Sequence, residues 1–255
     1  MQYEDVADVA RRRMAKVLVD SGAITRGAAA AVRTAIAGAT SSVAAVTAAA
    51  IRGTIDAARE EGTGIGPATT GAIEGAMESA AENGTLLKED AVSAAAAARS
   101  SAIKAGLSVA HTSRAVARGV IEGAKTAGMR SVDAAAVAGS SAMDAAAEAP
   151  DRSREIAAAT IEGVVEGTGD LTSDVEIAIR MTASSIVENA SRLGIGVGDA
   201  ASGAIDGARS AALTAGISTE LAATAAFEGA QAAADKLGRS VEQAVRNARS
   251  RGADS

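Results

Sequence analysis

Polar residues recur along this chain at steps of three and four, within segments that are otherwise apolar or small. They form one stripe between residues 218 and 237 and a second between 110 and 127. The first stripe consists of Glu220, Thr224, Glu228, Gln231 and Asp235, and the second of His111, Arg114, Arg118, Glu122 and Lys125. A helix with one narrow polar stripe is covered by neighbours over most of its circumference. The pattern therefore predicts helices inside a stack, and no segment shows the alternation typical of a strand.

These helical segments follow a 22-residue period. Seven glycines lie on one grid with this spacing: Gly62, Gly84, Gly106, Gly128, Gly194, Gly216 and Gly238. A small residue recurs nine positions before each grid point, as at Gly53 and Gly229. The hexapeptide that begins at Gly71 nearly matches the one that begins at Gly203, six periods later. Self-similarity at a fixed period predicts a repeat architecture.

A period of 22 residues has two physical interpretations. Twice eleven residues would keep an apolar stripe on one face of a continuous helix that lies on lipid. Alternatively, each period contains one helix and a short turn, so that neighbours pack antiparallel. Apolar residues directly follow grid glycines, as in Gly106-Leu107 and Gly128-Met129, which is typical of a left-handed helix C-cap. We therefore expect discrete helices, with N-caps at Ser131, Ser173, Ser218 and Ser240.

The predicted fold is all-α. Antiparallel helix-turn-helix repeats of 22 residues form 44-residue hairpins, which stack as an α-solenoid or a multi-helix layer with close Ala and Gly packing. The predicted helices are 4–21, 25–38, 42–61, 68–83, 88–105, 110–127, 132–149, 152–168, 173–193, 199–215, 219–237 and 240–251. We expect N-terminal helices with a basic cluster in 1–40, regular repeats in 41–238 and a basic C-terminal capping helix in 239–255.

Composition limits the kind of core that these helices can form. The 255 residues include 69 Ala and 27 Gly, and only 1% are aromatic. Such a chain buries enough apolar surface only where helix backbones approach closely. An interior glycine costs a helix about 1 kcal/mol relative to Ala, so glycines that recur in phase need a packing reason. We predict that the helix-packing residues are Gly53, Gly75, Gly119, Gly123, Gly163, Gly167, Gly207 and Gly229.

Charge is distributed unevenly along the chain. The net charge is -6, and the segment from Asp133 to Glu188 has eleven acids against three bases, or -8, which leaves +2 for the rest. Basic residues gather near the ends: Arg11, Arg12, Arg13 and Lys16, and then Arg239, Arg246, Arg249 and Arg251. An acidic chain is a poor match for nucleic acid. The basic ends are suited to contact with an anionic surface and, equally, with the acidic middle of another copy.

The N-terminal residues and the longest uncharged segment indicate where in the cell the protein is expected. The first five residues are acidic and lack an apolar run, so we expect no signal peptide. The stretch from Thr34 to Ile51 is uncharged and long enough for a membrane span, but it is mostly Ala, Ser and Thr. We therefore expect a buried helix in a cytoplasmic protein. The absence of Cys excludes disulfides and thiolate metal sites.

Candidate catalytic chemistry is sparse. His111 is the only histidine, so a single chain cannot build a catalytic triad or a two-histidine metal site. The glycine-rich segments 62–66 and 194–198 follow no predicted strand and lack the lysine of a phosphate-binding loop. Glu162 and Glu166 share a helix face, for which a solvated surface is favoured over weak binding of a divalent cation. No catalytic, cofactor-binding or metal-ligating residue is predicted.

These features favour a non-enzymatic structural or scaffold protein. We expect it to self-associate through close-packed Ala- and Gly-rich helices, for example into a dimer, filament or sheath. The alternative is a peripheral coat on a lipid or storage-granule surface, which would need bulky apolar residues that are scarce here. A third class, a binder of small molecules or metals in a cleft between helices, would need a pocket with convergent polar groups.

Overall fold

The protein is all-α, as predicted, in keeping with the dominance of Ala, the strongest helix former. A computed structural model of the chain describes residues 3–14, 21–37, 43–84, 88–169 and 172–253. Twelve α-helices occupy nearly all of these ranges, and no strand occurs within them.

The chain divides into two compact units, Met1–Arg130 and Ser131–Ser255. Unit 1 contains α1 (Tyr3–Met14), α2 (Ser21–Ala37), α3 (Val43–Glu60), α4 (Ile65–Glu82), α5 (Lys88–Lys104) and α6 (Val109–Ala127). Unit 2 contains α7 (Ser131–Glu148), α8 (Ser153–Thr168), α9 (Thr172–Leu193), α10 (Val197–Ala215), α11 (Thr219–Leu237) and α12 (Arg239–Ala253), with one 3-10 turn at Pro150–Arg152. The division at residue 130 lies within the segment 41–238, which the sequence predicts as one run of repeats.

Within unit 1, helices lie closest to the helix two positions along the chain. The most extensive contacts join α1 to α3, α2 to α4 and α4 to α6. Consecutive helices make antiparallel-like contacts, so helices two positions apart run parallel. The helices α1, α3 and α5 therefore form one layer, and α2, α4 and α6 form the other.

Unit 2 follows the same plan. Its most extensive contacts join α8 to α10, α9 to α11 and α7 to α9. The last helix, α12, packs on both α10 and α11. One layer thus consists of α7, α9 and α11, and the other of α8, α10 and α12.

Left-handed glycines end the helices at the 22-residue grid. At Gly128 φ is 72°, in a region that residues with a Cβ avoid. The backbone N–H of Met129 then donates to the carbonyl of Ala124 at 2.9 Å, which is the Schellman pattern. The same bond follows Gly216, at 3.0 Å. All seven grid glycines have positive φ, from 65° to 104°.

Only one of the four predicted N-caps is confirmed. Ser218 caps α11, since its hydroxyl accepts the backbone N–H of Leu221 at 3.3 Å. The other three predicted caps are wrong, because they lie within the first turn of their helices: Ser131, Ser173 and Ser240. At Ser240 the cause is a one-residue connection. Gly238 ends α11, and its carbonyl already accepts the N–H of Val241 in α12 at 3.0 Å.

Two predicted segments also differ from the structure. The helix predicted at 4–21 is wrong as a single element, because Ser21 belongs to α2 and α1 is described only to Met14; residues 15–20 lie outside the described ranges. The uncharged stretch from Thr34 to Ile51 is not one helix, since it spans the end of α2 and the start of α3. Residues 38–42 between them lie outside the described ranges.

Alanine fills most of the core. The largest fully buried side chains are few, and they include Ile51, Ile55, Ile73 and Met77 in unit 1 and Met143, Ile156, Ile161, Ile179, Ile186 and Ile205 in unit 2. One buried cluster of unit 2 consists of five alanines and two valines: Val187, Ala201, Ala230, Ala233, Ala234, Val245 and Ala248. A core of such small side chains requires closely spaced helices.

Candidate functional site

Glycines allow backbone-to-backbone contact between helices two positions apart. A Cβ built on Gly207 of α10 would lie 2.6 Å from the Cα of Ala158 in α8. One built on Gly53 of α3 would lie 2.8 Å from the Cα of Ala7 in α1. Real Cβ atoms essentially never approach another heavy atom within 3.0 Å. Any larger residue at these positions would force the two helices apart.

We call each such close contact between two helices a seam. Other predicted packing glycines also lie in seams. Gly75 meets Ala29, Gly119 meets Thr70 and Gly229 meets Arg180, each through backbone atoms. Gly123 differs, because the atom nearest to a Cβ built there is the sulfur of Met77, at 2.9 Å, at the flexible end of a side chain. Gly163 and Gly167 are buried residues of α8.

Three further glycines in the seams are absent from the predicted set. A Cβ on Gly71 or Gly203 would lie 2.8 Å from the carbonyl carbon of Thr25 or Arg154 respectively. Both glycines begin the matching hexapeptides, and this was the sequence signal that could have identified them. Gly139 of α7 has no such signal. A Cβ built on Gly139 would lie 2.7 Å from the Cβ of Ser185 in the later helix α9.

Small hydroxyl residues add hydrogen bonds across the seams. Thr70 of α4 donates its hydroxyl to the carbonyl of Ala115 in α6 at 3.1 Å. Ser185 of α9 donates to the carbonyl of Ala136 in α7 at 2.8 Å. Both side chains are buried, so each bond satisfies a hydroxyl that would otherwise lose its hydration.

Ion pairs line the outer edges of the seams. They join α1 to α3 through Arg11 and Glu60, α2 to α4 through Arg33 with Glu78 and Glu82, α8 to α10 through Arg154 and Asp206, and α9 to α11 through Arg180 with Glu228 and Glu188 with Lys236. Most of these side chains are well exposed, so each pair contributes at most about 1 kcal/mol. Their main effect is to favour one register between parallel helices.

The ionised form of one carboxylate beside a seam, that of Glu74, is electrostatically disfavoured. Burial raises the pKa of Glu74 above its ordinary value of 4.5, and the neighbouring Glu122 and Glu78 raise it further. Arg118 opposes this shift but also pairs with Glu122 at 2.8 Å. Deprotonation of Glu74 therefore costs unit 1 stability.

A groove of about 700 Å³ runs between α1 and α3 on the surface of unit 1. Four of its lining residues have small side chains: Ala7, Ala45, Ala48 and Ala49. Charged residues of both signs also line it: Asp8 and Arg11 from α1, and Arg52 and Asp56 from α3. Arg11 pairs with Asp8 at 3.2 Å, whereas Arg52 is exposed and forms no ion pair within the described ranges. The groove thus resembles an internal seam that no other described helix lines.

Among the described residues, the two most exposed large apolar side chains lie beside one turn of unit 2. Leu213, in the last turn of α10, is 74% exposed, and Leu221, in the first turn of α11, is 56% exposed. Glu220 beside Leu221 is exposed and has no ion-pair partner in the described part of the chain. Helix periodicity did not identify this turn, because periodicity alone does not show which apolar positions stay uncovered.

The basic clusters near the ends are partly engaged within the chain. Arg246 pairs with Glu242 at 3.6 Å, and the guanidinium of Arg249 lies 4.3 Å from the ring centre of Phe227. Arg12, Arg13 and Arg239 are exposed. The side chains of Lys16 and Arg251 lie outside the described residues.

The structure places the remaining candidate residues on the surface or in turns. His111 is exposed, and its Nδ1 lies 2.7 Å from the hydroxyl of Ser108, the N-cap of α6. Glu162 and Glu166 are half-buried on α8. Among the described residues, no group of three or more His, Asp or Glu side chains is placed to hold a metal ion. Within those ranges no helix has the length and apolar character needed to cross a bilayer.

No known family model matches the chain, and no curated protein resembles it significantly in sequence.

Proposed function

We propose that this chain is a non-enzymatic structural protein that self-associates in the cytoplasm. The observation that supports the proposal most strongly is the groove between α1 and α3, which no other described helix lines. Its four lining alanines have the chemistry of the internal seams, where small residues let one helix lie on another. Its charged lining residues of both signs match the ion pairs that line those seams.

The interior supports the same function. Helices in seams touch through backbone atoms, and these atoms cannot rotate away as side chains do. Hydroxyl bonds and ion pairs then favour a single register across each seam. Each unit is accordingly expected to be stiff, and a stiff subunit loses little conformational entropy when copies assemble.

The alternative coat function requires the helices to expose apolar faces to lipid. These faces consist mainly of Ala, which gives little transfer energy into a bilayer. Opening the seams would also forfeit their close packing. Self-association is therefore the better-supported proposal.

Size-exclusion chromatography with light scattering, followed by negative-stain microscopy, tests this function. We expect species heavier than the 24.8 kDa chain, with a regular contact between copies. A single species of 24.8 kDa at every concentration would contradict the proposal. Flotation with liposomes is the companion measurement, and recovery of the protein with the vesicles would favour the coat function instead.

A further inference from the structure

We propose that the turn between α10 and α11 of one copy seats in the groove between α1 and α3 of a second copy. This inference depends on the proposed self-association and names the two surfaces that meet. The turn projects Leu213 and Leu221, the two most exposed large apolar side chains among the described residues. The groove offers four alanine side chains and about 700 Å³ of space, which is enough for both leucine side chains.

The apolar side chains of the two surfaces differ in size, with leucines on the turn and alanines in the groove. Each alanine projects only one methyl group and so leaves room for a larger side chain. Leucine side chains are long enough to enter the groove and to contact the methyl groups directly. Burial of two leucines against these alanines supplies apolar contact that neither surface obtains alone.

Charge also matches between the two surfaces. Glu220 is adjacent to Leu221 and exposed, while Arg52 lines the groove and is exposed. Neither side chain forms an ion pair with the described residues, although most charged residues along the seams do. Contact between copies would give each of them a partner, so we assign Glu220 and Arg52 to opposite sides of this contact.

The turn is well suited to keep a fixed shape. Gly216 ends α10 with φ at 70°, and the backbone N–H of Ile217 donates to the carbonyl of Ala212 at 3.0 Å. The hydroxyl of Ser218 then caps α11. Because both ends of the turn are held by hydrogen bonds, the two leucines keep a constant separation and lose little freedom on docking.

A small molecule is a weaker candidate for the groove. Pockets for small ligands are usually lined by bulky hydrophobic or aromatic residues with a few convergent polar groups. Here the apolar lining is alanine alone, and each of the two helices contributes one acidic and one basic residue. An elongated protein surface with its own leucines and carboxylate is the better match.

The contact has a consequence for assembly. Turn and groove are different surfaces, so each copy that uses its turn still has a free groove. Such heterologous contacts produce rings if they close and filaments if they do not. The proposed geometry therefore predicts assemblies that can exceed dimers.

Sedimentation velocity of the full chain and its variants tests the apolar part of this contact. The double variant Leu213→Gln/Leu221→Gln should weaken association by about tenfold or more. Its matched control is Leu193→Gln/Leu237→Gln, which replaces two less exposed leucines, 36% and 41% exposed, at other helix ends. The control should associate like the unmodified protein, because it leaves the turn intact.

Charge reversal tests the pairing of Glu220 with Arg52. Glu220→Arg and Arg52→Glu should each weaken association, and the two changes together should restore it. If the unmodified chain associates but the leucine double variant and both reversals match it, this contact is overturned while self-association stands. If the unmodified chain stays monomeric throughout, both proposals fail.

Discussion

Replacing Gly207 with Ala tests whether glycine sets the spacing between α8 and α10. In an isolated helix this change would be stabilising, because Ala is the better helix former by about 1 kcal/mol. In the protein, the new Cβ would lie 2.6 Å from the Cα of Ala158 and 2.8 Å from its carbonyl carbon. The two effects have opposite signs, so the direction of the result is informative.

The structure gives the size of the expected effect. Ordinary contact begins at 3.4 Å, so a shortfall of 0.8 Å (3.4 minus 2.6) must be relieved by moving α10 away from α8. The obstructing atoms belong to the backbone and cannot change rotamer. Overpacking of this kind destabilises a protein by about 3 kcal/mol, at the upper end of the usual range. The higher helix propensity of Ala offsets about 1 kcal/mol of this, so we expect a net loss of about 2 kcal/mol in the free energy of unfolding.

Gly198 in the same helix is the matched control. A Cβ there would meet only Ala244, at 3.7 Å from the carbonyl oxygen and 3.9 Å from the Cβ, which is ordinary contact. Gly198→Ala should therefore leave stability unchanged or raise it by up to about 1 kcal/mol. Urea unfolding of the full chain, followed by far-UV circular dichroism, compares the two variants.

Hydrogen exchange adds a local measurement. Gly207→Ala should speed exchange of amides in α8 and α10 more than elsewhere in unit 2, since these helices share the altered seam. If Gly207→Ala stabilises the protein as much as Gly198→Ala does, the glycine does not set the helix spacing. Close packing would then no longer explain the other seam glycines.

Three other changes test separate features. Gly216→Ala should destabilise unit 2 by about 1 to 2 kcal/mol, measured by urea unfolding, because φ at this C-cap is positive; no loss would contradict the cap assignment. Thr70→Val should cost about 1 kcal/mol in the same assay by removing the bond to the carbonyl of Ala115, and an unchanged midpoint would show that the bond contributes nothing. Glu74 has a raised pKa in the folded state, so its deprotonation disfavours folding. The thermal midpoint of the protein should therefore rise as pH falls from 7 through the folded pKa towards 4.5. The variant Glu74→Gln should flatten that rise. An identical pH profile for the Gln variant would contradict this assignment.

The sequence was most informative where a local rule decides the structure. Glycine followed by an apolar residue predicts a helix end, and the turn after Gly128 has the expected Schellman bond. No glycine occupies the grid point at Leu18, and the sequence there predicts one helix over 4–21, although Ser21 belongs to α2; residues 15–20 lie outside the described ranges. Helix ends without a glycine depend on tertiary packing, which periodicity does not show.

Register across the seams could not be predicted from the repeat. The period suggests that helices two apart align at 44 residues, yet Gly53 meets Ala7, a separation of 46 (53 minus 7). Gly119 meets Thr70, a separation of 49 (119 minus 70). The two seams differ by three residues, close to one helical turn. Several registers that bury small residues are compatible with the sequence, and the choice among them depends on the whole interface.

The candidate surfaces could not be predicted from the sequence either. Arg52 and Glu220 resemble many other charged residues in the chain, and only the structure shows that neither has an ion-pair partner within the described ranges. Leu213 occupies a helix position that could have faced a neighbour. Its exposure follows from where α10 ends relative to the adjacent helices, which is a property of the packed unit.

The central claim is that this chain is built to associate with copies of itself, and sedimentation equilibrium over a wide concentration range tests it most directly. We predict a weight-average mass that rises with concentration from 24.8 kDa towards multiples of that value. Added salt should weaken the association, because Glu220 and Arg52 contribute to it. A mass that stays at 24.8 kDa up to the highest concentration, at low and high salt alike, would contradict self-association.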